Sequence, residues 1–152
     1  MKLFICLFVF ATLMAIFSIS QNAQDFSSLL AKIERSAKTS KPTWQLKVKD
    51  VNDQSGHYEW RLDKQYVTVS LRPSLSETEA SELLKQTMRR VPVSPKSKLT
   101  GLGDEAYLYK SDGHDGSMIL IRKANVFIQV NSSHLEPAQS FAKDISDLIQ
   151  SK

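Results

Sequence analysis

The stretch Ser111-Asp112-Gly113-His114-Asp115-Gly116 carries the residue types of a cation site. Asp112, His114 and Asp115 can offer oxygen and nitrogen to a divalent ion. The calcium-loop pattern is missing, because the acids do not alternate toward a distant closing glutamate. Asp-Gly is also ordinary hairpin chemistry, so the stretch reads as a turn. Leu102-Gly103-Asp104-Glu105 sets two carboxylates side by side at a strand entrance. Neighbours on a strand point to opposite faces, which places the pair badly for shared acid–base work. Asp104 is expected instead to bond nearby backbone amides and fix a turn.

His57, His114 and His134 fall in three separate polar segments, and no His-x-x-x-His pair exists for zinc. No serine stands in a Gly-x-Ser-x-Gly context, and no glycine-rich loop is built to cradle phosphate. The five glycines all read as turn residues. The sequence therefore assigns no catalytic, cofactor-binding or metal-ligating residue and no cofactor. An enzyme with a site assembled from dispersed carboxylates and histidines stays open as an alternative. Its sign would be a concave pocket holding at least two of Asp104, Glu105, His57, His114 and His134. Lys85, Arg89, Arg90, Lys96 and Lys98 form one basic cluster, with no acid from Leu83 to Gly103. It suits an envelope protein, a glycan or an anionic surface, and equally the dipole at a helix C-terminus. Asn131-Ser132-Ser133 is a glycosylation sequon with meaning only in a eukaryotic host.

These residues need elements to position them. Asp25 can cap a helix running to about Thr39, with Phe26, Leu29, Leu30, Ile33 and Ala37 on one apolar face and Lys41-Pro42 as its end. Trp44, Leu46 and Val48 alternate with Gln45, Lys47 and Lys49 as a half-buried strand, followed by a polar loop from Asp50 to Gly56. Next comes a hairpin joined at Asp63-Lys64, which pairs Leu62 with Gln65, Trp60 with Val67 and Tyr58 with Val69. Ser76 to Glu79 is a capping box, with Leu75 placed for a hydrophobic staple. Its helix carries Ala80, Leu83, Leu84 and Met88 on one side and ends near Arg90, before Pro92.

Val91 to Gly103 reads as loop, Ala106 to Lys110 as strand, and Met118–Arg122 with Val126–Asn131 as a second hairpin. Joined at Lys123-Ala124, that hairpin pairs Ile121 with Val126 and Ile119 with Ile128. A last helix carries Ala138, Phe141, Ala142, Ile145, Leu148 and Ile149, with a capping box at Ser133 to Glu136 and Pro137 near its start. The two hairpin–helix units resemble each other at strand offset 59 and helix offset 58. Met118 and Leu120 are apolar opposite Ile119 and Ile121, so this strand is expected to be covered on both sides, with the first helix on the second face. The expected class is α+β, an antiparallel sheet of about five to six strands in a helix–sheet–helix sandwich, with order α-βββα-βββα.

At the amino end Lys2 precedes an uncharged apolar run, Leu3 to Ile19, and Ser18 and Ser20 stand before polar Gln21. That is the layout of a secretory signal peptide with cleavage after Ser20. The alternative keeps the run as an anchor of a sensor-like outer domain, since it is near the shortest spanning length of roughly 17 residues. Cys6, the only cysteine, lies in this run, too close to Lys2 for lipoprotein acylation. A chain cleaved after Ser20 has no thiol, which excludes disulfides, cysteine nucleophiles and thiolate metal sites. Removing 20 of 152 residues leaves 132, enough for one core, so residues 21–152 are expected as a single domain. Without Lys2 the balance is 19 basic to 16 acidic residues, and no nucleic-acid partner is expected.

Leu99-Thr100-Gly101-Leu102-Gly103-Asp104-Glu105-Ala106-Tyr107, followed by Ile121-Arg122-Lys123-Ala124-Asn125-Val126, resembles a family of small exported bacterial domains. In these a Gly-x-Gly-Asp-Glu-Ala-Tyr strand entrance precedes an Arg-Lys-Gly-Asn hairpin and a final helix. Some are similar in layout to the PsbP-like α/β/α sandwich and to mycobacterial lipoproteins of that shape. The resemblance covers about the C-terminal third. The chain departs from it at Ala124, where glycine is expected, and in having no acylated cysteine. It implies a fold and a bacterial envelope address, periplasmic or secreted, and no defined activity. The expected role is a non-enzymatic binding or accessory domain.

Overall fold

The computed structural model describes residues 26–92, 97–110 and 116–149. The apolar run at residues 1–20 with Cys6, the capping Asp25, Lys96, and the candidate ligands Asp112, His114 and Asp115 lie outside the described residues. The chain runs through α1 (residues 26–40), β1 (Gln45–Asn52), β2 (Ser55–Leu62), β3 (Gln65–Pro73), α2 (Glu77–Arg90), β4 (Ser97–Leu99), β5 (Glu105–Lys110), β6 (Ser117–Lys123), β7 (Val126–Ser132) and α3 (Leu135–Leu148). The strands form one antiparallel sheet in the order β1-β2-β3-β7-β6-β5-β4. The class is the expected α+β, with seven strands in place of five to six.

The two extra stretches of strand lie at the sheet edges, where burial patterns fade. β1 extends through Asp50 into what reads as loop, because Asn52 Oδ1 accepts the amides of Gln54 and Ser55, each at 2.9 Å, and closes a tight turn into β2. This brings Gly56 into a strand instead of a turn. A Cβ there would meet Leu30 Cδ2 at 2.4 Å, so the glycine lets α1 settle on β2. β1 is also exposed along its whole length, where a half-buried strand was expected. Among the described residues no strand pairs with its outer edge, and a bulge between Leu46 and Val48 with Lys47 and Lys49 makes it a poor template for another strand. On the other edge, β4 forms three residues of strand inside the expected loop 91–103.

The hairpin at Asp63-Lys64 has the predicted register throughout. The second hairpin turns one residue later than expected, at Ala124-Asn125, and pairs Ile121 with Ile128 and Ile119 with Val130. The shift keeps the same apolar face, and Ala124 adopts a left-handed φ of 49° in the place where glycine was expected. Asp63 and Ala124, 61 positions apart, share that left-handed turn conformation, so the strand offset between the halves is 61, not 59. The helix offset of 58 stands, from N-cap Ser76 to N-cap His134. The pairing of Val69 with Val130 lies at the centre of this likeness. It stops at the hairpins, since the two helices take opposite faces.

α1 and α3 cover one face together. Phe26, Leu30, Ile33 and Ala37 join Ala138, Phe141, Ala142 and Ile145 over Val67, Val69, Leu71, Ile119, Ile121, Ile128 and Val130. The second face is covered by α2, not by α1: Leu84 packs with Tyr109, Leu120 and Phe127, flanked by Met88 and Met118. The predicted double covering of β6 is therefore met by a different helix. Ser76 Oγ accepts the amide of Glu79 at 3.2 Å, the forward half of the capping box, while the Glu79 carboxylate reaches one residue past the N-cap and accepts the Leu75 amide at 2.9 Å. Leu75 itself is 72% exposed and makes no staple. The α3 cap falls at His134 without a side-chain bond; Ser132 Oγ accepts the His134 amide, and Ser133 Oγ is used by the Tyr66 amide.

Candidate functional site

The Gly-x-Gly-Asp-Glu motif and the Arg-Lys-Ala-Asn hairpin meet as one clasp. Asp104 Oδ2 accepts the Ala124 amide at 2.7 Å and Arg122 Nη1 at 3.1 Å, and Lys123 Nζ reaches Oδ1 at 3.3 Å. The Asp104 amide donates to the Arg122 carbonyl at 2.9 Å. On the far side of the turn, Asn125 exchanges bonds with the Ser74 backbone at 2.7 and 2.8 Å. Burial alone would raise the Asp104 pKa. The Ala124 amide, Lys123 and Arg122 outweigh that and hold it below its ordinary value. Glu105 faces Arg122 Nε at 3.7 Å and accepts the Tyr107 hydroxyl at 2.9 Å, a bond that, with burial, raises the Tyr107 pKa. Both carboxylate oxygens of Asp104 are thus engaged in holding the turn, as the sequence reading expects of this residue.

Asp104→Ala is expected to cost about 1–3 kcal/mol, as for loss of a hydrogen-bonded charged group. The sign of its pH dependence follows from the lowered pKa. The Asp104 contribution is complete above the ordinary carboxylate value of 3.8 and is lost as pH falls through the lower folded value. Urea melts at successive acidic pH values should therefore show the wild-type and variant curves converging below that range. A gap that stays constant would contradict the role.

The histidines are not brought together. His57 lies on β2 and His134 caps α3, and among the described residues no group of three potential metal ligands forms. The cleft between α1 and α3 is lined by Ile33, Ala37, Lys41, Trp60, Phe141 and Asp144, none of them a sequence candidate. It encloses about 10 Å³, the room of one water. Lys41 and Asp144 pair across its mouth and tie the end of α1 to α3. Of the basic cluster, Lys85 is paired with Glu82 at 2.9 Å, and Arg89 and Arg90 occupy the last turn of α2, where cations suit the dipole. Asn131 of the sequon is on a central strand and donates to Thr68, which is not the exposed loop that glycosylation needs. Among the described residues no helix is long and apolar enough to cross a membrane.

A different region stands out. α2 covers only the β5–β6–β7 half of its face, which leaves the β1–β2–β3 half and the border of β7 open. The cross-strand register aligns two rows there: Asp50-His57-Ser70-Gln129 and Val48-Glu59-Thr68-Asn131. His57 Nδ1 and Ser70 Oγ are 2.9 Å apart. Gln129 Nε2 donates to Asn131 Oδ1 at 3.2 Å, and Asn131 Nδ2 to Thr68 Oγ1 at 3.2 Å. Glu59 pairs with Arg61, and Tyr66 is 42% exposed beside it in the register.

The first row contains the residue types of a hydrolase triad without its geometry. Ser70 meets Nδ1, the nitrogen that such a triad turns toward its carboxylate. What the arrangement does offer is a flat grid of neutral donors and acceptors. Sequence reasoning registered Glu59, Thr68 and Ser70 only as the polar alternates of strands, His57 as an isolated histidine and Asn131 as part of a sequon, and did not join them. The pairing of β3 with β7, which joins them, has no local signal. A scan against protein-family models and a search of curated proteins each found no match.

Proposed function

We propose that this is an exported, non-enzymatic binding or accessory domain of a bacterial envelope, with the open half-face of its sheet as the contact surface. One observation carries the reading: six strand residues, His57, Thr68, Ser70, Tyr66, Gln129 and Asn131, share a face that no helix covers among the described residues. Polar sheet faces without function need no cross-strand side-chain network, and ordering one costs side-chain entropy. The export part rests on residues 1–20, read as a signal peptide cleaved after Ser20. The PsbP-like resemblance of the C-terminal third is part of the same reading.

Hydroxyl-radical footprinting of the protein with and without a bacterial envelope extract tests this. Tyr66 and His57 are expected to be protected, while Trp44 on the helix-covered face keeps its labelling. The intact mass of the exported protein should lack residues 1–20. Protection absent from the open face, or a mass retaining the segment, would overturn the corresponding half of the proposal.

A further inference from the structure

The chemistry of the open face narrows what it can hold, given the reading of that face as the contact surface. Its charges are Asp50 and Glu59 against Arg61, Arg72 and Lys47, whose ammonium reaches Gln45 in the Arg61 row, and Glu59 is already paired with Arg61. A face with one net positive charge supplies little electrostatic attraction for nucleic acid or an anionic lipid surface. A protein partner needs apolar or aromatic anchors seated in pockets. Among the described residues of this face, only Tyr66 at 42% and Val48 at 40% are large exposed apolar side chains, and they stand on non-adjacent strands. What remains is neutral hydrogen bonding. Among the described residues the network leaves unused the Thr68 hydroxyl proton, the Gln129 carbonyl, one Asn131 N–H and His57 Nε2. They stand on strands about 4.8 Å apart, across a patch roughly 14 Å wide from β1 to β7. Donors alternate with acceptors across it, the pattern that vicinal hydroxyls satisfy because each both donates and accepts.

We propose that this face binds a neutral glycan. Its hydroxyls exchange hydrogen bonds with Thr68, Asn131, Gln129 and His57, and the apolar face of one sugar ring lies on Tyr66, whose ring is apolar in body and polar at its tip. The existing side-chain bonds fix the rotamers of Thr68, Asn131 and Gln129 before a ligand arrives, which lowers the entropy cost of binding.

The test is titration of the isotope-labelled full chain with cellohexaose and with the N-acetylglucosamine hexamer, followed by amide NMR shifts, with heparin as the charged contrast. The expected result is saturable shifts at Thr68, Ser70, Gln129 and Asn131 with a neutral hexamer. Tyr66→Ala and Gln129→Leu should each weaken binding about tenfold, or ~1.4 kcal/mol, while leaving the melting temperature and the remaining amide pattern in place. No shift at about 5 mM of either neutral hexamer, where even millimolar binding registers, overturns the inference. So does preference for heparin, or binding that survives both substitutions. Envelope protection of Tyr66 and His57 without any glycan shift would overturn the glycan and leave the contact surface standing; loss of both would remove the surface too.

Discussion

Phe141→Ala is expected to cost about 3–5 kcal/mol, the range for removing a buried aromatic ring. Phe141 is 2% exposed, where α3 meets both α1 and the sheet. Its ring lies edge-on to Trp44 at 5.4 Å and tilted on Trp60 at 5.1 Å, with Lys41 Nζ 4.9 Å from its centroid. Truncation would open a cavity between Trp60, held on β2, and Trp44, at the entry to β1, so little can collapse into it. It would also take away the ring under a lysine that is only 11% exposed. The total stability of a domain this size is about 5–15 kcal/mol, so the variant sits near its unfolding threshold. Trp44 and Trp60 are the only tryptophans, and both touch the site, which makes fluorescence-monitored urea unfolding a direct readout. Phe141→Leu, which keeps most of the volume, should lose about 1 kcal/mol. A loss below about 1 kcal/mol for the alanine variant would mean that α3 does not pack here as described.

The same ring shows what was legible before the structure. The helical stripe of Phe141 and its neighbours is local, as is the alternation of Tyr58, Trp60, Val67 and Val69, and both were read as found. A two-residue turn at Asp63-Lys64 admits one register that joins the apolar faces, and that register forms. The second hairpin had two such registers. Sliding one strand by two positions keeps Ile119 and Ile121 opposite apolar partners, so alternation could not choose. The choice is made by Asp104, 20 residues before the Ala124 amide it accepts. In the same way, the double apolar character of β6 required two coverings, but two amphipathic helices competed for the second face. Asp50 and Asn52 looked like loop residues because an edge strand buries nothing and needs no apolar pattern.

The candidate surface was hidden for a related reason. Ser70 and Gln129 are 59 positions apart and become neighbours only when β3 lies against β7. Each is the ordinary outward alternate of its own strand. By contrast, the motifs that did look like chemistry, Asp104 with Glu105 and Arg122 with Lys123, are consumed in the architecture of one turn. In this chain the dense local clusters hold structure, and the grid with unused hydrogen-bonding capacity is assembled from dispersed positions.

Gly103→Ala is the second large effect, expected at about 2–5 kcal/mol with the fold kept. Gly103 has φ +61°, and a Cβ there would stand 2.6 Å from the Arg122 carbonyl oxygen and 2.6 Å from Ile121 Cγ2. The left-handed backbone alone costs an alanine roughly 1–2 kcal/mol. The clash adds an overpacking term of about 1–3 kcal/mol, since the carbonyl is ladder backbone and Ile121 is fully buried. The carbonyl cannot retreat without cost, because it accepts the Asp104 amide at 2.9 Å. Relief must therefore come from lifting the Gly103–Asp104 segment, which draws the Asp104 carboxylate off the Ala124 amide. The two sites are coupled through that movement. Asp104→Ala, made in the Gly103→Ala background, should cost clearly less than it does alone, a non-additivity of about 0.5–3 kcal/mol. Gly101→Ala is the control: it shares a positive φ of 76° but its Cβ would meet nothing within 4 Å, so it should lose only the backbone part. Equal losses at Gly101 and Gly103, or strict additivity with Asp104, would show that the close approach to Arg122 does not set this strand entrance.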